Sequence, residues 1–224
     1  MTEARTPFRF VGCHELRESL GRRAQDEREL LEALEHVPLG SVFYHVFGAF
    51  LRHGVDAGPY ANDFASWAAM HLRDRVLGER LAVLDPFECG SLEQLREELL
   101  AIIDEHLSRL PVVPRVVYGQ PFWFVQSHLV EVPTMQEART LAEFRSCLAE
   151  VDASAVYYHA VEAPVRLGRR AGDFADWLRD SLGRADLAAQ AERIDLYFLS
   201  LERARAQILG LLDAALDQDA GRHG

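Results

Sequence analysis

The sequence predicts a predominantly α protein of two tandem homologous helical halves with pseudo-two-fold symmetry, each preceded by a short extended segment. Three observations predict it. Residues 7–54 and 121–168 match at a constant offset of 114, with 15 of 48 positions identical, where chance gives roughly three. Strong helix formers fill the stretches between turn signals. Apolar residues in those stretches recur at helical spacing.

Each copy opens on an alternating aromatic pattern, Pro7-Phe8-Arg9-Phe10-Val11 and Pro121-Phe122-Trp123-Phe124-Val125. Period-two alternation reads as a strand, expected to end near His14 and His128 and to pair with its twin. A first helix follows, from Asp26 in one copy and from about Gln136 to Val151 in the other. A second helix is expected to begin at Ser41 and Ser154, each a suitable cap. Val42, Phe43, Val46, Phe47 and Phe50 give its first-copy buried face. A third helix starts at Asp63 and Asp173, where a carboxylate accepts from free backbone N–H groups. The offset has dropped to 110 there, because residues 53–60 carry extra length that belongs in a surface loop. Last helices span Leu92–Leu110 and Leu201–Leu216. Pro111 and Pro114 break the chain between copies, so the expected domains are 1–110 and 121–224, with a linker at 111–120 and a short tail at 217–224.

Composition bounds the function. The net charge is −11, and all 24 basic residues are arginine. Without lysine there is no Schiff base and no phosphate-loop lysine. The acidic balance, with arginines in pairs such as Arg22-Arg23 and not in patches, argues against nucleic acid. No apolar run reaches the ~20 residues of a membrane span, and the N-terminus does not read as a secretory signal. Three cysteines, odd in number and widely spaced, suit a reducing compartment, so a cytoplasmic location is expected.

Of nine histidines, His14/His128 and His45/His159 recur in both copies. Gathered together they would make a metal set; alternatively, His45 and His159 hydrogen-bond inside their own halves and hold the fold. On the second helix, His45 and Arg52 share a face, and His159 shares one with Glu162 and Arg166. Glu162 is placed to orient the His159 ring, while Pro164 should kink or end that helix. These five residues are the candidate ligand-binding set. No dinucleotide, Walker, nucleophile-elbow or kinase motif is present, so neither a catalytic residue nor a cofactor is assigned.

The string Tyr158-His159…Arg166-Leu167-Gly168…Asp173-Phe174-Ala175-Asp176-Trp177, with the Pro-Phe-x-Phe-Val openings, resembles the DUF5752 family of uncharacterised bacterial and archaeal proteins. The resemblance covers nearly the whole chain and implies no activity. The expected function is a non-enzymatic binding or regulatory module, with a small molecule or protein partner in the groove between the repeats and homo-oligomerisation open. The alternative is a metal-dependent enzyme, such as a hydrolase, using His14, His45, His128 and His159.

Overall fold

The structure is a computed structural model describing residues 3–51, 60–113, 115–116, 119–167, 172–196 and 199–221, the side chains of residues 166 and 167 excepted. The aromatic alternation opens strands that continue ten residues past the paired histidines. β1 is Phe8–Ala24 and β2 is Phe122–Ala138, 17 residues each. They form one two-stranded sheet. Arg9 faces Glu137, Thr134 Oγ1 donates to Phe10 O at 2.6 Å, and Gln126 Nε2 donates to Glu18 at 2.7 Å. Numbers fall along one strand as they rise along the other, so the pair is antiparallel. Both strands carry a left-handed residue at the same place in the repeat, Gly21 (φ 65) and Met135 (φ 63). Glycine takes that conformation freely, while methionine there is strained.

In the first copy, β1 leads to α1 (Glu27–His36), α2 (Leu39–Phe47), a 3-10 turn over Gly48–Phe50, α3 (Asp63–Trp67), a π-helical turn over Ala68–Leu72, α4 (Arg75–Ala82) and α5 (Leu92–Ser108). In the second, β2 leads to α6 (Leu141–Glu150), α7 (Ala153–Val156), a π-helical turn over Tyr157–Glu162, α8 (Ala163–Leu167), α9 (Asp173–Asp176), a second π-helical turn over Trp177–Ser181, α10 (Ala185–Ala191) and α11 (Leu201–Gly221). Side-chain caps explain several starts: Asp26, Asn62, Asp74, Ser91 and Thr140 each accept from a backbone N–H of the first turn. Pro164 does not end its helix before Arg166. The backbone widens to a π turn just ahead of it, Ala163 N–H bonding Tyr158 O, and the helix runs on to Leu167.

Two expectations are corrected. The chain is mixed α/β, 58% helical and 18% strand, and is not a tandem helical repeat with short extended leaders. Nor do its compact units follow 1–110 and 121–224. One unit comprises residues 1–14 and 130–224, the other residues 15–129. Each unit therefore takes the opening of its sheet from the other copy of the sequence.

The cores show what drives this exchange. In the first unit, Phe8 packs on Phe144 (ring centroids 5.1 Å), on His159 (4.8 Å) and on Trp177 (5.8 Å), and Trp177 Nε1 donates to Thr6 O at 2.8 Å. In the second, Phe122 packs on His45 (4.6 Å), on Phe64 (5.0 Å) and on Trp67 (5.8 Å), and Trp67 Nε1 donates to Gln120 O at 2.8 Å. Phe8, Phe10, Phe122 and Phe124 are all buried. Burying each such ring stabilises its unit by roughly 2–3 kcal/mol, with edge-to-face contacts adding to that.

Candidate functional site

His45 and His159 sit in their aromatic cores, each 4% exposed. His45 Nδ1 lies 2.8 Å from Asp63 Oδ2, and its Nε2 accepts from Val125 N–H at 3.0 Å. His159 repeats this: Nδ1 lies 2.8 Å from Asp173 Oδ2, and Nε2 accepts from Val11 N–H at 2.9 Å. A backbone N–H can bond only an unprotonated ring nitrogen, so the proton of each ring is on Nδ1 and is donated to the aspartate. Ser41, expected to cap α2, lies inside that helix and donates to Val125 O at 2.8 Å. Both polar groups of Val125 are thus satisfied by side chains one helical turn apart. They stand in for the neighbouring strand that the outer edge of β2 lacks among the described residues.

Asp63 and Asp173 are accordingly not helix caps. Asn62 caps α3 through its side chain, and Gly172, with no side chain, occupies the corresponding place before α9. A Cβ on Gly172 would fall 2.8 Å from His159 O, which explains glycine there. A duplicated Asp following a duplicated His is the signal that points to these pairs.

The remaining candidates scatter. His14 is exposed. His128 is exposed and faces Glu18 at 3.5 Å. Glu162 is half-buried, but the carboxylate that orients His159 is that of Asp173. Arg52 and the Arg166 side chain lie outside the described residues. Among the described residues, none of the four repeated histidines falls in a group of three metal-ligating side chains.

Such a group exists elsewhere. Glu27 at the start of α1, Asp74 capping α4 and His106 in the last turn of α5 bring one ligand atom each to within 4.8 Å of one another. His106 Nε2 is 3.0 Å from Asp74 Oδ2 and 3.8 Å from Glu27 Oε1. Glu27 is fully buried, and neither of its carboxyl oxygens accepts from an N–H or a hydroxyl among the described residues; its carboxyl contacts that of Asp74. Burial, reinforced by the negative charge of Asp74 and a hydrogen bond shared with it, and then by Asp26, pushes the Glu27 carboxyl up to about 7. Nothing in the sequence marks Glu27, which reads as one more carboxylate in a charged helical run.

The fold is similar to the solved structure of OrfY from Thermoproteus tenax, at 30% identity and a TM-score of 0.81, covering 96% of this chain and 97% of that one. No curated protein matches the sequence. The profile of DUF5752, a family of unknown function, matches residues 5–213. With that match over nearly its whole length, the chain belongs to the DUF5752 family.

Proposed function

We propose that this protein is a non-enzymatic binding or regulatory module that engages a protein partner through exposed apolar side chains of its strands. The observation that carries this reading is the commitment of both nitrogens of His45 and of His159 to internal hydrogen bonds. A general base needs a free lone pair within reach of substrate, and a metal ligand needs the same. The reading of a metal-dependent enzyme built on the repeated histidines draws no support from that arrangement.

Exposed apolar side chains in each unit supply the contacts. Leu16 (59% exposed), Trp123 (48%), Val130 (46%) and Met135 (93%) all present apolar side chains to solvent. Met135 also holds a positive φ where the matching position uses Gly21, and strain kept at an exposed apolar side chain favours a binding role over a folding one. The test compares the whole chain with Trp123→Ser and Met135→Ser variants as baits in quantitative co-purification from source cells. The reading expects a stoichiometric partner retained by the native chain and lost by variants that melt normally. No partner for any bait, or the same partner for all three, overturns it.

A further inference from the structure

We propose that Glu27, Asp74 and His106 form a binding site for one divalent first-row transition-metal ion, of the zinc, manganese or cobalt class. The site stands on its own evidence and does not depend on the partner reading above.

Geometry comes first. Three elements converge on one point, and Asp74 divides its two oxygens between tasks. Oδ1 accepts from Leu77 N–H at 2.8 Å as the α4 cap, which turns Oδ2 toward His106. Ligand atoms around a tetrahedral zinc ion stand about 3.3 Å apart, given bonds of about 2.0–2.1 Å. The 3.0 and 3.8 Å separations seen here bracket that value.

Glu27 provides the second, independent observation. In its ionised form, fully buried Glu27 has no N–H or hydroxyl donor on either oxygen, a state that costs several kcal/mol unless a cation, or a proton shared with Asp74, compensates. His106 offers one proton at 3.8 Å, too far for a hydrogen bond. A divalent ion would be bound by both carboxylates and the neutral imidazole, and its charge would match theirs. The Asp74 side chain remains 14% exposed, which leaves the site an approach from solvent.

The second copy is an internal control. Glu27 matches Leu141 at offset 114, and Asp74 matches Arg184 at offset 110, both directly preceding a short helix. The buried faces of α5 and α11 match at offset 109: Leu99 with Ile208, Ile103 with Leu212, and His106 with Ala215. The second copy thus builds the same helices with leucine, arginine and alanine at the three positions. The helical scaffold does not require the donor set, and a purely architectural role leaves its one-sided presence unexplained.

The test uses the untagged full chain, stripped with chelator and titrated separately with Zn²⁺, Mn²⁺ and Co²⁺. Calorimetry reads stoichiometry, and for Co²⁺ the visible d–d absorbance reads coordination. One equivalent is expected to bind, with a raised thermal midpoint. The variant Glu27→Leu/His106→Ala installs the second copy's residues and is expected to keep its circular dichroism and weaken binding at least 100-fold. Glu27→Gln, nearly isosteric, serves if the double variant fails to fold, and is expected to weaken binding at least 10-fold. His14→Ala/His128→Ala is expected to bind as the native chain does. No binding of any of the three ions below millimolar concentration overturns the site. So does affinity undiminished in both the double variant and Glu27→Gln.

Discussion

An imidazole that accepts a backbone N–H on one nitrogen and donates to a carboxylate from the other has no lone pair left for substrate. It does satisfy a strand N–H and bind a carboxylate of the following helix. Replacing His45 or His159 with alanine removes the acceptor of Val125 N–H or of Val11 N–H and the ring's bond to Asp63 or Asp173, and opens a cavity among aromatic rings. Each change should cost about 2–4 kcal/mol by chemical denaturation. His14→Ala and His128→Ala, at exposed positions, should each stay within about 0.5 kcal/mol. Glu27 behaves oppositely. Its carboxyl is raised from 4.5 to about 7, so in the metal-free protein the folded state binds the extra proton. Stability is then highest below pH 4.5 as far as Glu27 is concerned, and falls as pH rises through 7, by about 2–3 kcal/mol. Glu27→Leu should remove that slope, with Asp74, Asp26 and His106 still facing the position. Denaturation curves of both proteins from pH 5 to 8 check this; parallel curves would contradict it.

At the scale of elements, the strand openings are the unusual feature, because each packs on helices of the other copy. Phe8→Ala should therefore weaken the unit made mostly of second-copy residues, by about 3–5 kcal/mol. Trp177, 5.8 Å from Phe8, reports on that unit once Trp67 and Trp123 are replaced by phenylalanine; an unchanged Trp177 transition would contradict the packing. Gly172 is a second test. A methyl group there meets His159 O at 2.8 Å, so Gly172→Ala should lower stability by about 1–3 kcal/mol, read as a lower thermal midpoint. The repeated aromatic box was legible in the sequence; its destination was not. Phe8 and Phe122 come from matching motifs, and so do the pockets formed with Trp177 and Trp67, so docking within a copy and docking across copies satisfy the same pattern. Strand length was illegible for a different reason: after His14 the strand is largely polar, and after His128 the apolar Leu129, Val130, Val132 and Met135 do not alternate.

For the whole molecule, the sequence carried the family and the helical regions, because those rest on local chemistry: caps, helix formers and prolines. It also singled out His45 and His159, either as prospective ligand contacts or as hydrogen-bonding residues that hold the fold. Asp63 and Asp173 were read as caps because a carboxylate at a helix start suits either role, and only the fold brings the imidazole to it. Glu27, Asp74 and His106 lie 47 and 32 residues apart in sequence, and their convergence depends on helix packing that no local pattern encodes. The architecture that results uses His45 and His159 to hold strands in place, and we propose that exposed strand side chains and one asymmetric donor set serve function. The most direct test of that division is hydrogen exchange read by mass spectrometry on His159→Ala. Faster exchange at residues 8–13 and in α6–α10, with α1–α5 unchanged, is the predicted result. Native protection throughout, with only binding or turnover lost, would contradict it.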